Sequence, residues 1–500
     1  MLSKLRQNLL VIFIVSALLL LVFLLSLHNF IGIGQDIGLH LSLGKIAWQE
    51  HRIVTTNFFS FTTPDFIWLN NTWLSKAVFY LVWAWVGMEG LIVFNALMLT
   101  VALSLAFFAF YKKETLLPVS IVTVLSIFIF VERSAVRPEI FSYLFLGWYL
   151  FVLFKEDERL IWSLPLIQIL WVNSHIYFIL GPLLYGLFLV HYFIRQKSMD
   201  KRGRRFLLVG LLMCVANLIN PLGLKEALYP FFVFKNYAVP VLENQSPVKL
   251  FMLGYSRFSS SALFAGIVLT LIGFFANYKK LRDNIFSLGL FIATSALSLI
   301  MLRNVAVFAL AMIPINAKNL HGLGINFRRR NLLVTMAVLL LLLLISVVDN
   351  EFNQAFYPDR KFGTYVPEGP QRAVDFIKDH RLRGPMFNNY NIGGFLIWQL
   401  PGEKVFIDSR PEAYPADFIR DVYIGMQKDY RTWKIYSEQY HINMAVLDYF
   451  DSNDYFINFL QNISEDDDWA LVYKDGWAVI FLKRTADNAD IIKQYEIGIK

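Results

Sequence analysis

The sequence predicts a polytopic, all-α membrane protein with a C-terminal extracytoplasmic α/β domain. Three observations predict it. Hydrophobic residues make up 56% of the 500, apolar runs long enough to cross a bilayer recur between residues 9 and 348, and beyond Asp349 the composition turns polar and acidic.

Residues 9–27 (LLVIFIVSALLLLVFLLSL) form an unbroken apolar run of about 19 residues, enough for a hydrocarbon core of roughly 30 Å. The run is longer than the apolar part of a signal peptide and carries no small-residue cleavage site. About eleven spans follow this rule, near 9–27, 90–111, 115–131, 139–154, 160–173, 176–194, 205–220, 261–277, 285–301, 304–317 and 331–348. Basic residues test their direction. Lys4 and Arg6 precede the first span, Lys112 and Lys113 follow the second, and Lys155 and Arg159 follow the fourth. Arg195, Lys197, Lys201, Arg202, Arg204 and Arg205 follow the sixth. Lys279, Lys280 and Arg282 follow the eighth, and Lys318 with Arg328, Arg329 and Arg330 follows the tenth. All fall on one side, so the positive-inside rule puts the N-terminus in the cytoplasm of an inner-membrane protein.

Two domains are expected. Residues 1–348 form the transmembrane domain, with a first outer loop at 28–89, and residues 349–500 form a soluble, periplasmic domain. The tail holds 24 Asp+Glu and 17 Lys+Arg, a net of −7, which leaves +15 of the total +8 in the membrane half. The basic balance therefore reflects topology and contact with anionic membrane lipids, not nucleic acid. Cys214 is the single cysteine, so no intrachain disulfide forms. Along the tail, PQRAVDFIKDH predicts a helix, GPMFN a strand and GGFLIWQL a helix. KVFIDS predicts a strand, PADFIRDVYIGMQKD a helix, MAVLDY a strand, and WALVYKDGWAVIFLK a hairpin turning at Asp475 and Gly476.

Ionisable residues gather at the outer ends of the spans. Asp36 lies in QDIGLHLSLGKIAWQEH, after Gly32 and Gly34 and before Gly38. Asp36 and His40 share one helical face. Apolar Leu39, Leu43 and Ile46 against Lys45, Gln49 and Glu50 predict an amphipathic helix along the membrane interface. Asp36 either caps that helix or acts in chemistry at the surface, and His40 is an interfacial polar residue or a metal ligand. The loop VERSAVRPEIF supplies Glu132, Arg133, Arg137 and Glu139, costly beside a membrane unless paired or facing water. A guanidinium fork suits phosphate or carboxylate. Asn173 and His175 mark one tight outer turn, Arg303 and Asn304 another. The apolar loop 221–260, interrupted by Pro221, Pro230, Pro240 and Pro247, reads as a short interfacial helix or a re-entrant segment. In the tail, Asp408 and Arg410 follow a strand end, beside Asn388, Asn389 and Asn391. They form either a turn network or an acceptor-binding patch.

The run from Asp36 to Trp73, then RPEIFSYLF from Arg137, WVNSH ending at His175, NPLGLKEALYPF from Asn220 and RNVAVFALAMIP from Arg303 together resemble a bacterial GT-C-like family of membrane glycosyltransferases. In the tail, FNNYNIGGFLIW and VFIDSRPEAYP extend the resemblance over nearly the whole chain. It implies transfer of a sugar from a polyprenyl-phosphate-linked donor to an extracytoplasmic glycan, lipid or protein acceptor. Asp36 would be the general base, and Arg137 and Arg303, with Arg133, would hold the donor phosphate. His40, Glu132, Glu139, Asn173 and His175 would complete the pocket. The mechanism requires no cofactor. In oligosaccharyltransferase-like members a divalent cation takes part, and magnesium or manganese would here fall to Asp36 with Glu132 or Glu139. The chain departs from the oligosaccharyltransferases at Ile37, which stands where a second acid would follow Asp36, and it lacks a Trp-Trp-Asp motif. The rival reading is a non-catalytic scaffold that keeps the architecture for glycan or lipid handling, with its ionisable groups paired among themselves. A transporter is disfavoured because no pair of broken helices recurs in two halves.

Overall fold

The computed structural model describes residues 2–29, 36–233, 242–323, 330–449 and 454–498. Gly32, Gly34, Pro240, Arg328 and Arg329 lie outside the described residues, as do the side chains of Lys4 and Arg6.

Each expected span coincides with a helix. They are Leu2–Ser26, Trp73–Ala109, Leu116–Phe130, Glu139–Lys155, Leu164–Val172, Leu180–Gln196, Lys201–Ala216, Arg257–Ala276, Ile285–Ile300, Val305–Gly322 and Arg330–Val348. Among the described residues, seven helical segments are long and apolar enough to cross a membrane. Glu139–Lys155 and Lys201–Ala216 have 17 and 16 residues, about 25 Å at 1.5 Å per residue, short of a full hydrocarbon core. The chain is a multi-pass membrane protein. Trp73–Ala109 starts well before the expected residue 90 and is broken at Gly87, whose φ of 72° lies in the left-handed region that glycine tolerates.

The chain forms two compact units. The first comprises Met1–Phe30, Val86–Pro230 and Val241–Tyr365. Its centre is the helix Val305–Gly322, buried at every position from Val305 to Ala317. It packs against Leu116–Phe130, Ile285–Ile300, Arg257–Ala276 and Glu139–Lys155. Alanines at 306, 309, 311 and 317 allow this close approach, as small residues do between membrane helices. Interhelical hydrogen bonds add to it, from the Ser126 hydroxyl to the Ala309 carbonyl and from Asn316 Nδ2 to Thr270 Oγ1 at 2.8 Å.

The second unit comprises Ile31–Trp85, Phe231–Pro240 and Val366–Lys500. It is built on four strands, β1 (Met386–Asn388), β2 (Met444–Asp448), β3 (Trp469–Lys474) and β4 (Ala478–Lys483). Their order is β1-β2-β4-β3. β1 and β2 are parallel, and β4 runs antiparallel to β2 and β3. The helices expected in PQRAVDFIKDH and GGFLIWQL form at Gln371–Asp379 and Gly393–Gln399. PADFIRDVYIGMQKD is helical as a π turn at Phe418–Tyr423 followed by Ile424–Lys428.

Two expectations are corrected here. KVFIDS is not a strand of the sheet: Val405 makes only an isolated bridge to Ser60. The Asn388 side chain takes the place of a ladder, accepting from Phe406 N–H at 2.9 Å and donating to the Ile407 carbonyl at 2.7 Å. The amphipathic helix, Ile37–Gln49, does not leave its apolar face for lipid. Leu39, Leu43 and Ile46 join the buried core of the second unit, because Gly38 lets the helix settle on Gly393–Gln399. A Cβ at Gly38 would stand 2.4 Å from the Gly394 carbonyl oxygen.

Candidate functional site

The loop VERSAVRPE closes one span and opens the next. Val131–Arg133 is a single 3-10 turn, and Pro138 precedes the helix Glu139–Lys155, where its fixed φ suits a helix start. The turn is tied down by buried polar groups. Arg360 Nη1 donates to the Val131 carbonyl at 2.8 Å, Asn95 Nδ2 donates to the Ser134 carbonyl at 2.6 Å, and His28 Nε2 lies 2.9 Å from Ser134 Oγ. Arg133 therefore leaves the turn in a fixed direction. It forks onto Glu139 at 3.0 and 2.9 Å.

Arg133 also reaches Glu243, Nη2 to Oε2 at 2.9 Å. Arg137 donates to Glu243 Oε1, and Arg303 Nη2 lies 3.6 Å from Oε2. Three guanidinium groups thus converge on one carboxylate. Glu243 sits on the turn Leu242–Asn244. That turn is held to Leu302–Asn304 by the hydrogen bond from Leu302 N–H to the Gln245 carbonyl at 2.9 Å. Tyr177 fixes the same place by donating to Asn304 Oδ1 at 2.8 Å and to the Arg303 carbonyl at 3.2 Å. Burial opposes the Glu243 charge, but Arg133, Arg137 and Arg303 outweigh it and hold the carboxyl well below its usual range. Glu243 is ionised.

His175 stands beside this cluster. Trp171 Nε1–H donates to Ser142 Oγ at 2.7 Å, and Ser142 Oγ lies 2.9 Å from His175 Nδ1. Nδ1 also accepts from Tyr177 N–H at 3.5 Å, so Ser142 donates to it and the His175 proton is assigned to Nε2. Burial, reinforced by Arg303 and Arg133, lowers the imidazole to about 3, so it is neutral at any physiological pH.

The remaining expected residues lie elsewhere or have other partners. Glu132 accepts from Ser256 Oγ at 2.8 Å and Ser259 Oγ at 2.7 Å. Asn173 spends its amide on the carbonyls of Ile169 and Ile219, at 2.7 and 2.9 Å. Among the described residues no group of three His, Cys, Asp or Glu side chains could hold a metal ion. Of the expected donors, Glu139 is paired with Arg133 and Glu132 with two hydroxyls; Asp36 is a residue of the second unit.

In that unit, Asp36 occupies the N-cap position of Ile37–Gln49 with φ 57°, and its side chain does not cap the helix. The capping reading is thereby corrected. Asp36 is instead among the charged neighbours of Lys76, with Arg410, Glu412 and Asp408. Lys76 is 3% exposed, donates to Asn70 Oδ1 at 2.7 Å and lies 4.9 Å from the Trp68 ring centroid. Arg410 takes a place 4.5 Å from the same centroid. His40 faces Phe79, ring centroids 6.3 Å apart. Asp408 and Arg410 form a buried ion pair at 2.6 Å, to which Tyr414 O–H adds a bond at 3.0 Å and Asn57 Oδ1 another at 3.0 Å. Burial works against the Arg410 charge, yet Asp408 keeps it firmly protonated.

Sequence reasoning missed Glu243, Lys76, Tyr177 and Arg360. Lys76 carried a readable signal, a lone cation near the start of an apolar helix, which is costly without partners. Glu243 is one of two carboxylates in an apolar loop, with Glu226, and its three partners come from distant turns.

No family model and no curated protein matches the chain. Solved structures do. The archaeal oligosaccharyltransferase AglB from Archaeoglobus fulgidus, in complex with an inhibitory peptide and a dolichol-phosphate, superposes with a TM-score of 0.57 at 10% identity, covering 87% of this chain and 69% of that one. ArnT from Cupriavidus metallidurans in the apo state gives 0.56 at 13% identity, over 95% and 98% of the two chains. The same protein bound to undecaprenyl phosphate gives 0.54 at 13%, over 96% and 98%. The chain thus shares its fold with these proteins, which are GT-C polytopic membrane glycosyltransferases.

Proposed function

We propose that the protein is a glycosyltransferase that moves a sugar from a polyprenyl-phosphate-linked donor to an acceptor outside the cytoplasm of the cell. The observation that carries this reading is the convergence of Arg133, Arg137 and Arg303, in a fold whose neighbours include structures holding dolichol-phosphate and undecaprenyl phosphate. In the transfer, an acceptor oxygen or nitrogen bonds to the anomeric carbon as the bond from that carbon to the phosphate oxygen breaks. The bonding pair leaves on the phosphate, where charge develops. Guanidinium groups aimed there stabilise the transition state more than the ground state. The acceptor proton passes to Asp36, the general base, and from there to water. The N-terminus faces the cytoplasm, the C-terminal domain of residues 349–500 lies outside it, and the host is the inner membrane.

One observation favours the scaffold reading: the three guanidinium groups already hold carboxylates. Binding of undecaprenyl phosphate to the purified protein separates the two. The enzyme reading expects binding that Arg137→Gln and Arg303→Gln each weaken about tenfold, the scale of one charge-assisted hydrogen bond. Asp36→Asn should keep that binding and lose sugar transfer from polyprenyl-phosphate donors in proteoliposomes. Full transfer by the Asn variant removes Asp36 as base, and binding untouched by either arginine change removes the phosphate site.

A further inference from the structure

We propose that Glu243 is a built-in counter-anion: its carboxylate stands where a ligand phosphate binds, and the ligand enters by displacing it. This rests on the phosphate-holding role given above to the three arginines. The cluster divides into a fixed part and an exchangeable part. The Arg133 and Glu139 side chains are 7% and 6% exposed and locked in a two-point fork. Glu243, Arg137 and Arg303 are 20%, 23% and 25% exposed, so the accessible edge of the cluster is the edge that Glu243 covers. Glu243 Oε1 meets Arg137, and Oε2 meets Arg133 and Arg303. Two oxygens bridging three guanidinium groups is the pattern a phosphate would make. Glu243 also rides on a three-residue turn, from which a rotation of the side chain alone withdraws the carboxylate.

Charge says which phosphate fits. With Glu243 withdrawn, three guanidinium charges against Glu139 leave two positive charges. A phosphate monoester carries −1.5 to −2 near neutral pH, whereas the phosphodiester that links a sugar to a polyprenol carries −1. The cluster therefore matches the departing polyprenyl phosphate better than the intact donor. Such a site favours charge developing on the leaving group, and Glu243 competes the product back off.

The test is binding of undecaprenyl phosphate to the full-length protein in detergent, followed by thermal shift. Glu243→Gln should lower the half-saturating concentration about tenfold, the gain expected when a competitor occupying the site nine-tenths of the time is removed. Its ligand-free melting temperature should fall and be restored by the phosphate. Glu243→Asp keeps the charge with a shorter reach and should fall between Gln and the native residue; it carries the test if the Gln variant does not fold. Native or weaker affinity in these variants, while Arg137→Gln still binds about tenfold more weakly, overturns the counter-anion and leaves the phosphate site standing. Native affinity in Arg137→Gln and Arg303→Gln overturns both.

Discussion

Arg133 and Glu139 face each other across one tight turn as a two-point ion pair, with N–O distances of 3.0 and 2.9 Å and side chains 7% and 6% exposed. Arg133 also holds Glu243, so removing Glu139 weakens the compensation of its buried charge without abolishing it, at about 1–3 kcal/mol. Glu139→Gln should therefore destabilise the protein by that amount in denaturant titration in detergent. Arg133→Leu strands buried Glu139 and takes a partner from Glu243, so it should cost more, about 3–5 kcal/mol. An Arg133→Leu variant within about 1 kcal/mol of the native protein would show that the pair is solvated in solution.

Gly44 sets the depth at which Ile37–Gln49 crosses the start of Trp73–Ala109. A Cβ there would lie 2.1 Å from the Lys76 carbonyl oxygen and 2.9 Å from Tyr80 Cβ. Alanine gains about 1 kcal/mol of helix propensity over glycine, but this contact is with backbone and cannot relax cheaply. Gly44→Ala should be destabilising by about 1–3 kcal/mol, the range for overpacking. Because Lys76 moves with its backbone, the change should also disturb the stack on Trp68, visible in tryptophan fluorescence. Stabilisation by alanine would mean that the two helices do not cross here.

What the sequence disclosed follows the range of the interactions involved. The spans were legible because twenty apolar residues in a row have few other fates, and the Asp475–Gly476 hairpin because turn and alternation are local. Leu39, Leu43 and Ile46 showed an apolar helical face, yet nothing local said whether lipid or protein covers it. The answer lies with Gly394, more than three hundred positions away. KVFIDS has the composition of a strand, but Asn388 satisfies its backbone with a side chain. Arg133, Arg137 and Arg303 were readable as a class of residue. Their common partner was not, since Glu243 meets them only after three turns have been brought together by Leu302, Tyr177 and Arg360.

Asn388 is fully buried and serves three backbone groups, accepting from Phe406 N–H and donating to the carbonyls of Ile407 and Asn389. Asn388→Ala would strand a buried N–H and a buried carbonyl, each costing about 1–3 kcal/mol. The expected loss is about 2–5 kcal/mol by chemical denaturation, with amide exchange at Phe406 accelerated first. An Asn388→Asp variant restores the acceptor but adds a buried charge, so it should recover none of this at neutral pH. A loss below about 1 kcal/mol for alanine would mean that water replaces the side chain.

His175 and Glu226 give the stability opposite slopes with pH. Burial holds His175 neutral in the folded state, at about 3 against an ordinary 6.5. Below pH 6.5 the unfolded chain takes up a proton that the folded chain refuses, so stability present above 6.5 is lost as pH falls. At pH 5 that loss is about 2 kcal/mol. Glu226 is 1% exposed, and burial pushes its carboxyl up to about 7 from 4.5. Between pH 4.5 and 7 the unfolded chain releases a proton that the folded chain keeps, so stability falls as pH rises, by up to about 3 kcal/mol across that window. In the native protein the two trends partly cancel between pH 5 and 6.5. His175→Gln should leave the Glu226 slope alone, making the melting temperature fall as pH rises from 5 to 7. Glu226→Gln should leave the His175 slope, making it rise over the same interval. Identical pH profiles for the native protein and both variants would place both groups in contact with water.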